Sequence, residues 1–395
     1  MKSVKVLLVG IGGYGAVFVR EALDNPRGDI IISGVADPYP ERCIYYDELI
    51  KNNIPIYNSM DEFYAEKDAD LAVIATPIFL HTEQMLTALR NGSNVLCEKP
   101  LCADERDIEI LSAEKEKSKK NIFIGYQWSY SEAIKELKGD ILKGKFGKLI
   151  QMKTLCLRPR TRDYFERGVG WAGKIKTPDG KLVYDSVANN SAAHYLFNML
   201  YIMGKDGMAA EPENISACLL RGNKIENFDA CKIDFSLSEG AKASFIAAHP
   251  VNHTVEPVFC YRFEKGTVYY STERTSEAAK LMPKEYDGYG KIVAFFAGGQ
   301  KKVYKDPMAD SLNKLHEAVK ATKEGIGSFE LCGLLAAAVH TKMINYIQKN
   351  FEIFNIKPML LKEEDGLLYA EGLFEEAMKC YKDVGRTFEK FLDKK

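Results

Sequence analysis

Neither sign of charge predominates in this chain: 54 Lys and Arg stand against 55 Asp and Glu, for a net charge of −1. Holding a phosphate backbone takes an excess of positive field, so the balance counts against general nucleic-acid binding. Long apolar runs are missing as well; a membrane helix needs about 20 such residues, and the runs here fall far short. Nine cysteines are scattered along the chain and no two are spaced C-x-x-C. That leaves no framework for a zinc site or a redox dithiol, and no metal is expected. An odd number of isolated thiols suits a reducing cytoplasm. The opening run Val4–Val9 is broken at once by Gly10, Gly12, Gly13 and Gly15. It therefore reads as a strand entering a tight turn and not as a leader.

At 395 residues the chain exceeds the roughly 250–300 at which a single core stops growing, so two domains are expected. Through about residue 125, strand and helix patterns alternate: strands at 4–9, 29–36, 71–75, 94–97 and 121–126, helices at 14–23, 81–90 and 105–119. That alternation predicts a parallel sheet covered on both faces. Beyond about 150 the texture changes. A long strand at 148–157 is followed by two hairpins, 228–237 with 241–249 and 258–263 with 267–271, which predict an antiparallel sheet. Helices are predicted at 310–323 and 329–349, and one long amphipathic helix at 367–392.

The strongest local signal is Gly10-Ile11-Gly12-Gly13-Tyr14-Gly15, a G-x-G-x-x-G between a strand and a helix. In that context the first glycine allows the tight turn and the second lets a pyrophosphate approach the main chain. The third lets helix and strand pack closely, and the helix N-terminus presents N–H groups to the phosphates. Asp37 ends the second strand, where a carboxylate can accept from both ribose hydroxyls and would repel a 2′-phosphate, so NAD is favoured over NADP. Arg42 follows on the adenine side. Ala75-Thr76-Pro77 with His81, and Cys97-Glu98-Lys99-Pro100, close the next two strands, at the end of a parallel sheet where ligands bind. Lys99 is placed to reach a nicotinamide and a substrate hydroxyl.

Together these elements resemble the glucose–fructose oxidoreductase / inositol dehydrogenase (Gfo/Idh/MocA) family. Asn190-Ser191-Ala192-Ala193-His194 looks like that family's Asp-x-x-x-His motif, and the resemblance runs from residue 1 to about 350. It implies a Rossmann NAD-binding domain at 1–126 and an α+β domain at 127–395 for substrate binding and oligomerisation. The latter would hold a large open, mostly antiparallel sheet, with the 329–349 helix returning to the first domain. Residues 351–395 are an extension beyond the resemblance. The family's catalytic Lys falls on Lys99 and its catalytic His on His194.

Two departures stand out. The acidic residue four before the histidine is Asn190 here, an amide that can bind a substrate hydroxyl but cannot stabilise an imidazolium as a carboxylate does. The segment containing Gln127 and Trp128 replaces an Arg that many members carry. With Arg158, Arg160 and Tyr164 it is expected to shape the substrate pocket, where arginines could grip a carboxylate or phosphate. The expected activity is NAD-dependent oxidation or reduction of a secondary hydroxyl on a sugar, cyclitol or derivative, with Lys99 or His194 moving the proton. The alternatives are a redox-neutral NAD-dependent sugar conversion of glycosidase or anhydro-sugar type, or a non-catalytic NAD-binding sensor. A homodimer or homotetramer is expected through the second sheet, because too few helices follow in sequence to cover one of its faces.

Overall fold

The computed structural model describes residues 3–167, 170–237, 240–272, 274–327 and 331–393. The chain divides into two units, one made of 1–130, 206–208 and 310–341, the other of 131–205, 209–309 and 342–395. No helix among the described residues is long and apolar enough to cross a membrane.

The first unit is built on six parallel strands: β1 (Val4–Val9), β2 (Ile30–Ala36), β3 (Ile56–Tyr57), β4 (Leu71–Ile74), β5 (Asn94–Cys97) and β6 (Ile122–Ile124). They lie in the order β3-β2-β1-β4-β5-β6. The central strands are near-continuous apolar runs because both faces are covered; Leu7, Leu71, Ile74, Val95 and Leu96 have no exposed surface. Helices Ala16–Asp24, Ile78–Arg90, Asp107–Ser118 and Asn313–Glu324 supply that cover. The strand order reverses between β1 and β4, the topological switch point where such sheets bind ligands. Register brings the strand ends level: Val9 pairs with Ala36 and with Ile74, and Ile74 with Cys97. Gly10, Asp37, Ala75 and Glu98 therefore all leave the sheet along one edge.

The second unit holds β7 (Leu149–Leu157), β8 (Glu213–Arg221), β9 (Ala230–Leu237), β10 (Ala241–Ala248), β11 (Val255–Phe263), β12 (Gly266–Ser271), β13 (Val293–Phe296), β14 (Lys301–Val303) and β15 (Ile353–Asn355). These form one sheet ordered β14-β13-β12-β11-β7-β10-β9-β8-β15, antiparallel except at β7/β10 and β8/β15. Both predicted hairpins are present; Ser238 and Glu239, in the turn of the first, lie outside the described residues, as does Phe329, where a helix was expected to begin. That helix is described over Leu334–Asn350. One face of β7 and β11 packs on the helix Ala193–Tyr201, where the buried Tyr261 hydroxyl lies 3.2 Å from Thr154 Oγ1 and accepts from Asn198 Nδ2.

The opposite face corrects the expectation of an uncovered sheet. Leu155, Leu157, Ile246, Ala248 and Val258 are buried there under Leu373, Phe374, Ala377 and Tyr381 from the end of this same chain. The remainder of that face carries Gln151, Lys242, Arg262 and Thr267, which remain partly or fully exposed. Tyr269 and Phe295, half-buried, and Val303, 49% exposed, lie on that face as well.

That segment also overturns the single long helix predicted at 367–392. It contains a hairpin, β16 (Leu361–Glu364) and β17 (Leu367–Ala370), then a helix at Leu373–Lys382 and a short 3-10 turn at Glu389–Phe391. Asp365 and Gly366 both take positive φ, 50° and 75°, the backbone of a two-residue type I′ turn. Gly372, at φ 79°, separates β17 from the helix.

Candidate functional site

In the first unit the glycine turn adopts the geometry that its spacing requires. A Cβ on Gly10 would lie 2.5 Å from Thr76 Cγ2, and one on Gly15 would lie 1.9 Å from Gly10 O. Both positions are closed to any side chain. Beside Gly12, by contrast, the space a Cβ would occupy is open within 4 Å. A dinucleotide pyrophosphate fits there, against bare main chain at the start of a helical segment. Asp37 Oδ2 accepts from Ile11 N (2.8 Å) and Oδ1 from Tyr39 N (2.8 Å), which aims the carboxylate from the end of β2 at the turn. A carboxylate has about four lone-pair sites, so two remain for a ribose. Arg42 is exposed and stacks on Tyr39, 4.3 Å from ring centroid.

Lys99 is half-buried directly after β5, and its peptide bond to Pro100 is cis. Two groups hold the loops around it. Thr76 Oγ1 donates to Gln84 Oε1 (2.5 Å) at the foot of the β4 loop. His81 lies with Nδ1 2.8 Å from Pro100 O and Nε2 3.0 Å from Thr76 O, so one imidazole straps the β4 and β5 loops together. Burial lowers its pKa, against the raising effect of these carbonyls.

Lys314, which sequence reasoning missed, has a fully buried ammonium that donates to Glu98 Oε1 and to the Tyr14 hydroxyl (3.1 Å). Burial works against its charge, yet Glu98 and then Tyr14 raise its pKa above the ordinary lysine value. A cation from residue 314 thus ties the glycine turn to the loop carrying Lys99. Nothing local in the sequence marks it, since it lies in an ordinary amphipathic helix. Its one signal is a lysine on the face that the helix buries.

Three residues expected to touch cofactor or substrate have protein partners or core positions here. His81 and Glu98 engage protein groups and act as struts. Trp128 is 2% exposed and belongs to the core, whereas Gln127 beside it is half-buried.

In the second unit a polar cluster gathers near the start of the helix Ala193–Tyr201. His194 is its second residue, half-buried, with Asn190 and Ser191 in the turn before it. Asn190 Nδ2 donates to Asp185 Oδ1 (2.7 Å), and Asp185 Oδ2 also accepts from Gly173 N (2.6 Å). His249 Nδ1 lies 2.8 Å from Arg158 O, which can only accept, so this nitrogen carries the hydrogen. Burial, reinforced by the nearby arginines, pushes the His249 pKa down to about 3 and keeps the ring neutral. Its Nε2 therefore accepts from the Ser191 hydroxyl (2.9 Å), leaving only lone pairs on Ser191 Oγ for other partners.

Arg158, also expected in the substrate pocket, pairs its guanidinium with Glu256 (2.5 Å) and donates to Tyr195 OH (2.7 Å), which fastens β7 to its surroundings. Arg160 and Arg167 differ. Arg160 stacks on the Tyr164 ring at 4.5 Å, and Arg167 stacks on the same ring at 3.6 Å while donating to Tyr164 O. Asp185, Ser191, His249, Glu256 and Arg167 were not singled out from the sequence. They come from separate segments, and only folding brings them to one place.

Residues 4–126 match the profile of an oxidoreductase family described by its NAD-binding Rossmann fold, GFO_IDH_MocA. Inositol 2-dehydrogenase of Rhodococcus jostii is 32% identical over 169 residues, 42% of this chain and 44% of that one. The 2,7-anhydro-N-acetylneuraminate hydratase of Mediterraneibacter gnavus is 27% identical over 150 residues, 38% of each chain. The chain thus spans less than half the length of either relative. Among solved structures, the WlbA dehydrogenase of Bordetella pertussis in complex with NADH and UDP-GlcNAcA superposes with a TM-score of 0.68. It is 18% identical and is matched over 88% of this chain and 96% of its own. The aldose-aldose oxidoreductase of Caulobacter crescentus, also 18% identical, gives 0.69 over 88% and 97%. At that identity the likeness speaks for the fold alone.

Proposed function

We propose, from the premise that this chain is a member of the Gfo/Idh/MocA oxidoreductase family, that it is an NAD-dependent dehydrogenase of a secondary hydroxyl on a sugar, cyclitol or related polyol. One observation carries the reading. The glycine turn, the Asp37 carboxylate and Lys99 leave one sheet along the same edge, at the strand ends where such a fold binds a dinucleotide. Bound NAD supplies the hydride acceptor. Gly12 and the N–H groups after it would hold the pyrophosphate. Asp37 would take the ribose hydroxyls and exclude a 2′-phosphate, which favours NAD over NADP.

On oxidation the carbinol C–H leaves as hydride and the O–H proton goes to a base of this chain, so a carbinol becomes a carbonyl. Lys99 and His194 are the candidate proton-transfer groups, and Asn190, with its amide hydrogen held by Asp185, offers Oδ1 to a substrate hydroxyl. The free thiols, nine in all, suit a reducing cytoplasm.

A redox-neutral conversion is the second reading, supported by the relative named as a hydratase of an anhydro sugar. A panel of sugars and cyclitols with NAD, followed by nicotinamide absorbance and by product analysis, separates the two. Net NADH formation supports the dehydrogenase. A converted sugar without net NADH supports the second reading. Lys99→Ala should lower turnover by about 10²–10⁴ and leave NAD affinity within a few fold; normal turnover with lost NAD binding would make Lys99 a cofactor anchor instead.

A further inference from the structure

We infer that Arg160 and Arg167 form a binding site for an anionic group, a carboxylate or a phosphate, carried by the sugar substrate. The inference rests on the sugar-dehydrogenase reading and narrows its substrate class.

The two guanidinium groups both stack on Tyr164, whose ring holds them in place before any ligand arrives. Arg167 is fixed further by its bond to Tyr164 O and by the Trp171 ring at 5.2 Å. Planar, permanently charged and already oriented, they are suited to paired hydrogen bonds with a planar or tetrahedral oxyanion.

Of the three arginines gathered here, only Arg158 has a carboxylate partner among the described residues. Three guanidinium groups act on the buried His249: Arg160, Arg158 and Arg167. Arg158 is matched by Glu256. Asp185, the carboxylate that acts on Tyr164, is engaged by Gly173 N and the Asn190 amide. Among the described residues no carboxylate lies within ion-pair reach of Arg160 or Arg167, and the buried Arg160 Nε has no hydrogen-bond partner. A buried donor left unmade is unfavourable, more so when charged, and a ligand oxyanion would remove that penalty.

The site also adjoins groups suited to the rest of a sugar. Tyr164 packs on His249 at 5.5 Å between ring centroids, and His249 fixes the Ser191 hydroxyl as an acceptor beside Asn190. An anion at the arginines and hydroxyl donors toward Ser191 and Asn190 describe a sugar acid or a sugar phosphate better than a neutral polyol.

The test uses the full chain saturated with NAD. Binding of glucuronate, galacturonate, glucose 6-phosphate, glucose, galactose and myo-inositol is measured by calorimetry and thermal shift. An acidic sugar is expected to bind at least tenfold more tightly than its neutral parent, with an affinity that falls as salt rises. The uronate and phosphate arms tell which oxyanion is taken. In Arg160→Gln and Arg167→Gln the preference should disappear while NAD affinity and melting temperature hold; Arg160→Lys and Arg167→Lys, which keep the charge and lose the fork, should retain part of it. Equal binding of the neutral parents, a preference that survives in the double Gln variant, or no binding of any acidic probe at millimolar concentration overturns the inference. NADH formation from a neutral sugar with no acidic preference sinks this site and leaves the dehydrogenase reading standing. Arginine-dependent binding of an acid with no conversion of any sugar does the reverse.

Discussion

Asn190 Nδ2 donates to Asp185 Oδ1 across 2.7 Å. The carboxylate absent from position 190 thus stands one hydrogen bond behind it, supplied from five residues upstream, and the local charge is displaced, not lost. Asn190→Asp would set two carboxylates where one hydrogen bond now lies, and like charges so close share a proton. The variant is expected to keep activity, with its acidic pH limb moved upward by a unit or more. An unchanged pH–rate profile would show that position 190 does not touch the titrating group.

Asp37 is held by Ile11 N and Tyr39 N, so the proposed preference for NAD should depend on its charge more than on its shape. Asp37→Asn keeps both the size and one acceptor, and should narrow the gap between NAD and NADP affinities; Asp37→Ser should narrow it further. Fluorescence titration with each dinucleotide measures this, and tighter NADP binding by the unmodified protein would refute the assignment.

Removing Lys314 leaves the Glu98 carboxylate buried without its cation. Breaking such a pair from one side destabilises by about 3–5 kcal/mol. Lys314→Met should therefore unfold at markedly lower urea concentration, and Lys314→Met with Glu98→Gln should recover much of the loss. If the double variant were less stable than the single, the pairing would not be what holds these loops.

Acid stability should depend on Asp140. Burial opposes its charge, but hydrogen bonds from Lys145, Lys302 and Tyr304 lower its pKa from 3.8 to about 2. A depressed carboxylate contributes stability that is fully present above the unfolded value and is lost as pH falls toward the folded one. Urea midpoints should therefore drop between about pH 4 and pH 2, with a shallower slope in Asp140→Asn. Equal slopes would assign the acid transition elsewhere.

Phe374 is 4% exposed in the segment that covers the sheet, so Phe374→Ala should be destabilising by about 3–5 kcal/mol. Beside the covered part, that face carries Tyr269 and Phe295, both half-buried, and Val303, 49% exposed, among its polar residues. Light scattering is expected to give two or four times the 44.4 kDa mass of one chain, a homodimer or homotetramer through this sheet. A monomer at micromolar concentration, or an oligomer that survives charged substitution of Phe295 and Val303, would count against assembly through the sheet.

Elements whose signal is local were legible from the residues alone. The glycine turn, the level strand ends and the hairpins follow from steric limits and side-chain periodicity, which act over a few neighbours. Even the missed hairpin at 361–370 had its local mark in Asp365-Gly366, overridden by the helical spacing on either side. The order of residues also placed Asp37 and Lys99 after the strands that lead to them, and His194 at the start of its helix. Tertiary structure alone decided which charges meet. Lys314 reaches Glu98 across more than 200 positions, Arg158 finds Glu256, Asp185 backs Asn190, and residues 356–392 cover a sheet begun at 149. Coulombic and packing partners are selected by distance in space, and a sequence states distance only along the chain.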